Sequence, residues 1–137
     1  MRRAHKYGAR PVDGYASTLE RDRARELRLL EHAGEIRGLV EQPRIELLPG
    51  IFYKPDFAYW WPRGLLRALS QDWEKIHEET KGVETARWRL IQKLWRLLGP
   101  TPLRIVKRGK GGFVVAREIV PRGLRCTHCG EPVSIGP

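Results

Sequence analysis

The chain has 137 residues, enough for one domain around one modest core. No apolar run is long enough to cross a bilayer, and the opening MRRAHKYGAR has no apolar stretch behind its charges, so a soluble, intracellular protein is expected. The net charge of +10 is unevenly placed: residues 1–10 hold four Arg/Lys and no acid, residues 101–125 hold seven and one acid, and the remainder balances 15 against 15.

Residues 1–16 read as an irregular basic arm punctuated by Gly8, Pro11 and Gly14. A helix is predicted from Ser17 to about Ala33, with Ser17 as N-cap, Glu20 completing an S-x-x-E capping box, and Leu19, Leu27, Leu30 and Ala33 as its core face. Pro43–Pro49 forms a short apolar strand, and Ile51–Trp61, rich in aromatics, a second strand. Pro62-Arg63-Gly64 breaks it, and in 65–71 Leu65, Leu66 and Leu69 fit either a helical turn or part of a long hairpin. Trp73–Lys81 reads as a third strand ended by Gly82, and Glu84–Leu98 as a helix with a stripe of Trp88, Ile91, Leu94, Trp95 and Leu98. Leu103–Val106 is a fourth strand, followed by a flexible basic loop (Lys107–Gly112), a β-like run at Phe113–Ala116 and a Cys-containing tail. Helices alternating with strands that must pair at long range give an α/β sandwich. The expected organisation is an arm (1–16), a core domain (17–107), and a basic loop with a C-terminal appendage (108–137).

Glu79-Thr80-Lys81 carries the most chemistry. Side chains alternate along a strand, so Glu79 and Lys81 share a face. A carboxylate there can hold a divalent cation, and an ammonium beside it can orient water or steady a phosphate oxygen. Glu79 is preferred to Glu78 because it shares that face with Lys81. Asp56, after Pro55 in the aromatic strand, is a second acid in an apolar setting, where an unpaired carboxylate is costly. An edge-strand Asp facing water would look the same, and Pro55 belongs at edges or bulges. Glu20 is fully explained by the capping box, yet it is a third acid available to a site. His77 lies on the face of Glu79 and reads as a surface histidine. Trp88 and Trp95 read as core. Trp60 or Trp61 could stack on an unpaired base, with packing at a dimer interface the stronger expectation.

A helix with S-x-x-E, a P-D strand and an E-x-K strand resembles the PD-(D/E)XK nuclease superfamily. Ser17-Thr18-Leu19-Glu20 followed by Glu26-Leu27-Arg28-Leu29-Leu30-Glu31-His32-Ala33-Gly34-Glu35-Ile36 resembles, more closely, small phage-encoded proteins of that superfamily, with Pro55-Asp56-Phe57 and Glu78-Glu79-Thr80-Lys81-Gly82 in the places of their later motifs. The resemblance spans about residues 5–106 and departs from the pattern at Pro62–Asp72, which looks inserted. It implies a restriction-endonuclease-like mixed sheet flanked by helices. It further implies Mg²⁺ or Mn²⁺ held by Asp56 and Glu79 with Glu20 completing or tuning the site, and Lys81 positioning water or the scissile phosphate. It also implies a homodimeric, structure-selective DNA endonuclease of the Holliday junction resolvase type, in a host cell if phage-encoded. Other nucleases of the superfamily and a DNA-binding protein without catalysis stay open as readings. Arg2, Arg3, Lys6 and Arg10 of the arm, with Lys107, Arg108 and Lys110 of the loop, are the expected phosphate contacts.

Cys126-Thr127-His128-Cys129-Gly130 has the spacing of half a zinc ribbon. Two thiolates do not complete a tetrahedral site, so a second subunit or His128, His5 or His32 would supply the rest; a local disulfide and free thiols are the alternatives. Asn is absent and Arg outnumbers Lys 19 to 7, which fits a thermophilic source or a GC-rich genome equally.

Overall fold

The computed structural model describes residues 17–62, 72–80 and 84–133. Helix α1 (Thr18–His32) starts where Ser17 turns extended and its hydroxyl accepts the Glu20 N–H at 3.2 Å, and it gives way to Gly34 at φ 78°. Strands β1 (Arg37–Glu41), β2 (Ile45–Leu48), β3 (Ile51–Tyr53), β4 (Phe57–Pro62) and β5 (Trp73–Thr80) follow. Helix α2 (Ala86–Leu98), capped by the Thr85 hydroxyl, leads to β6 (Leu103–Gly109) and β7 (Gly112–Ile119).

Five strands form one mixed sheet in the order β1-β4-β5-β6-β7, and β2 and β3 form a separate hairpin. Among the described residues only β5 and β6 pair in parallel, with α2 as their crossover. Such a pairing cannot be closed by a tight turn, which is why a helix is required there.

Each sheet face has its own core. On one side Ala24 and Leu27 of α1 pack against Ile36, Phe57, Tyr59 and Ile76. On the other, Trp88, Ile91 and Trp95 of α2 pack against Leu103, Ile105, Ile119 and Leu47 of the hairpin. The alternation of β4 and β5 follows: Phe57, Tyr59, Ile76 and Glu78 face α1, whereas His77 and Glu79 face α2.

The architecture is α/β, with helices on a mixed sheet, and several local expectations change. The aromatic run is two strands rather than one, broken at Lys54–Asp56, where buried Pro55 has no N–H to contribute to a ladder. Strand β1 was not expected; its sequence carries Gly38 at φ 60°, at a register shift where the Trp60 ring lies 3.2 Å from where a Cβ would sit. The inner stripe of α1 is not purely apolar: Glu20 and Arg23 are buried with Ala24 and Leu27, while Ala33 is exposed. The basic loop after Val106 is a hairpin. Lys107 and Arg108 belong to β6, only Lys110 and Gly111 turn, and the sheet runs on to Ile119, past the expected boundary at residue 107. Strand β7 is one edge of the sheet and leaves Val114 and Val115 half exposed. Beyond it, the two cysteines lie near each other in the C-terminal turn. Among the described residues no helix is long and apolar enough to cross a membrane.

Candidate active site

The acidic residues meet where β4 begins and β5 ends. Phe57 pairs with Glu78, so Asp56 stands one step beyond β4, beside the last residues of β5. One of its carboxylate oxygens accepts both the Thr80 N–H (2.8 Å) and the Thr80 hydroxyl (2.6 Å), and its carbonyl accepts the Gln42 N–H (2.8 Å). Glu79 accepts the Tyr53 hydroxyl at 2.6 Å. The Tyr53 ring is wedged against Trp88 and Trp95, so the α2 core fixes the donor that fixes Glu79. Glu20 is buried at the start of α1, and its Oε1 accepts the Gln42 side-chain amide at 3.0 Å. Gln42 has φ 51°, a left-handed conformation costly for a residue with a side chain, and it links Glu20 to the Asp56 backbone.

The electrostatics report the crowding. Burial first, and then the Glu79 charge, push the Asp56 carboxyl up to about 8, with a smaller contribution from Glu20; the two Thr80 hydrogen bonds pull the other way. Burial and the Glu79 charge likewise raise the Tyr53 hydroxyl well above its ordinary value. Asp56 and Glu79 are therefore electrostatic neighbours, and Glu20 reaches them from the α1 side. The expected ligand triad is nonetheless not a closed cage: among the described residues, no three His, Cys, Asp or Glu side chains are gathered tightly enough to hold a metal ion alone. A pair of carboxylates completed by water and substrate phosphate is the set that Mg²⁺ favours. Repulsion between the two acids is what a divalent cation would offset, so this donor set fits the ion. Lys81, the fourth expected member, lies outside the described residues.

Glu78, the neighbour of Glu79, is separated from this chemistry. Its side chain is fully buried on the α1 side, where Arg23 donates to both its oxygens (2.6 and 2.9 Å) and Tyr59 donates a third bond (2.6 Å). The reading of His77 as a surface residue is corrected. His77 is buried edge-on against Trp95, with Nδ1 at the Thr101 hydroxyl, and burial, then Lys75, hold it down at about 4.

Beside Glu79 opens a cleft of about 470 Å³ between the β2–β3 hairpin and the start of α2. Arg44, Lys54 and Arg87 line it with Phe52 and Trp88, and the Arg44 guanidinium lies 3.7 Å from the Phe52 ring centre. Sequence reasoning missed these three cations because they are far apart in the chain and sit in its charge-neutral stretch. The Pro49-Gly50 turn that folds Arg44 back beside Phe52 was the available signal. Of the expected phosphate contacts, Arg2, Arg3, Lys6 and Arg10 lie outside the described residues. Lys107 and Lys110 are exposed on the β6–β7 hairpin, whereas Arg108 is committed to an ion pair with Asp22 at 2.6 Å. Trp61 packs into the α1 core, and Trp60 is 42% exposed.

Comparison of the chain with protein-family models, with characterised proteins and with solved structures returned no match.

Proposed function

We propose that this protein is a metal-dependent DNA endonuclease that hydrolyses phosphodiester bonds at Asp56 and Glu79, and that its substrate is branched DNA, a four-way junction first. The observation that carries the reading is a pair of mutually repelling acids, one of which, Glu79, lines a cleft shared with Arg44, Lys54 and Arg87. A protein that only bound DNA would have no use for carboxylates facing phosphate. Asp56 and Glu79 would hold Mg²⁺ or Mn²⁺, with Glu20 tuning the site through Gln42. The ion would supply positive charge at the scissile phosphate and acidify a water molecule.

The chain's own residues do the rest. Thr80 holds Asp56 by two donors to one oxygen, and Tyr53 holds Glu79, so neither acid must be ordered when substrate arrives. Arg44, Lys54 and Arg87 neutralise phosphates that flank the cut, and Phe52 offers a face to an unstacked base. Lys81 orients the attacking water or steadies the phosphate oxygen. An intracellular homodimer would place two such sites to make the paired cuts that a two-fold junction requires.

The test is cleavage of a labelled four-way junction beside duplex, flap and single-stranded controls, in Mg²⁺, Mn²⁺ or EDTA, with wild type and Asp56→Asn. Paired symmetric cuts, lost in EDTA and in the variant, are expected. Cutting of the controls alone would discard the junction and keep the nuclease. Binding without cutting in either metal would overturn the enzyme and leave a DNA-binding module.

A further inference from the structure

The tail beyond β7 presents a problem independent of the acidic site. From Val120 to Val133 no residue is buried. Yet the segment is regular. Arg125 bridges Pro132, Cys126 N–H donates to Glu131 O (2.8 Å), Val133 N–H donates to Leu124 O (2.8 Å), and Gly130 N–H donates back to Cys126 O (2.9 Å). Gly130 closes the turn at φ 74°, which a residue with a side chain adopts only at a cost. Ordering such a segment costs on the order of 1–2 kcal/mol per residue in backbone entropy, and the partial burial of Pro121 and Leu124 offsets little of it. Small structures of this kind are normally held by a disulfide or a metal.

The turn suits the second. Cys126 and Cys129 are free thiols near each other in the turn that the Gly130 N–H closes onto the Cys126 carbonyl. Two thiolates supply half of a tetrahedral zinc site. The chain holds no further cysteine, and no third His, Cys, Asp or Glu is gathered with these two among the described residues.

We propose that Cys126 and Cys129 form one half of a zinc site completed by the same two cysteines of a second copy, a single ion joining the tails of a dimer. Four thiolates around one zinc carry net negative charge. That charge suits the junction of two tails that each bring Arg122 and Arg125, which would otherwise repel across the two-fold axis. The zinc is structural and separate from the ion at Asp56.

The experiment measures metal content and mass in solution on the full chain, purified in reductant without added metal. One zinc per two chains in a dimer is expected, with both thiols of each chain silent to a thiol reagent until a strong chelator is added. Chelator, or Cys126→Ser with Cys129→Ser, should release the zinc and dissociate the dimer with the far-UV spectrum unchanged. His128→Ala should keep both. Cobalt substituted for zinc should give the charge-transfer intensity of four thiolates. One zinc per monomer, a dimer that survives loss of metal, a chain lighter by two hydrogens through a local disulfide, or no zinc under any condition would each overturn the shared site.

Discussion

The two adjacent glutamates of β5 make opposite demands on the protein, and exchanging each for glutamine separates them. Glu78 is fully buried, with two charge-assisted bonds from Arg23 and one from Tyr59. Glu78→Gln leaves Arg23 charged and nearly buried without its counter-ion. Breaking a buried pair costs about 3–5 kcal/mol. Arg23 also touches Glu26 at 3.1 Å on the surface, which favours the lower end, so about 3 kcal/mol is expected. At roughly 2 cal/mol/K of unfolding entropy per residue, a chain of this size should melt about 10 °C lower. Glu79→Gln removes a charge that repels Asp56 and leaves an oxygen for the Tyr53 hydroxyl, so its melting in EDTA should match or exceed wild type while cleavage is lost. Thermal melts by circular dichroism in EDTA, with junction cleavage in parallel, read both effects. Replacing the pair together, as Arg23→Met with Glu78→Leu, should recover the loss to within about 1–2 kcal/mol. The reasoning fails if Glu78→Gln melts with wild type, or if Glu79→Gln is the less stable of the two.

Three further expectations follow from single sites. Asp56 is held at about 8 and is near 4 in an unfolded chain, so between those values the folded form keeps a proton the unfolded form has lost, and stability falls as pH rises through that window. Mg²⁺ or Mn²⁺ should therefore raise the melting temperature more at pH 8 than at pH 5, and Asp56→Asn should erase the difference; an equal effect at both pH values counts against Asp56 as a ligand. His77, held at about 4 against an ordinary 6.5, gives the opposite sign: the unfolded chain takes up its proton first, so stability is lost as pH falls from 6.5 towards 4. Denaturant unfolding at pH 7 and pH 4.5 should show wild type losing about 2 kcal/mol more than His77→Phe, and equal acid losses would refute this. Gly99→Ala should cost about 1–3 kcal/mol in the same assay, because the new Cβ would stand 2.6 Å from both the Trp95 carbonyl oxygen and its indole nitrogen; an unchanged midpoint would show that α2 yields there.

What was legible in the chain depended on how local the signal was. Helix α1 was announced by Ser17 and Glu20, and β5 by its composition and the glycine after it, because caps and alternation are written into neighbouring residues. Strand β1 was invisible: RGLVE gives a weak pattern, and its bulge at Gly38 answers to Trp60, far along the chain. The Gly-rich stretch after β6 read as flexible because glycine permits both a loop and a tight hairpin, and only pairing with β6 decides between them. Within the site, parity along β5 separated Glu79 from Glu78, and Asp56 was conspicuous among aromatics. Gln42 and Tyr53 were not foreseen, since each acts through a partner supplied by another element. Arg23 on the inner face of α1 has the same origin: its partner lies 55 residues away.

The exposed edge of the sheet bears on how the protein must be handled. Among the described residues, strand β7 has an open backbone edge with Val114 and Val115 beside it, a surface on which a second chain could add a strand. The irregularity between Ile105 and Val106 twists that edge, but the main guard is the surrounding positive charge of Lys107, Lys110 and Arg117. Charge guards only over the screening distance, about 10 Å in 0.1 M salt and about 3 Å in 1 M. Concentrated salt is thus the condition under which its molecules cease to repel one another, and preparations kept in it will be the ones most prone to clump.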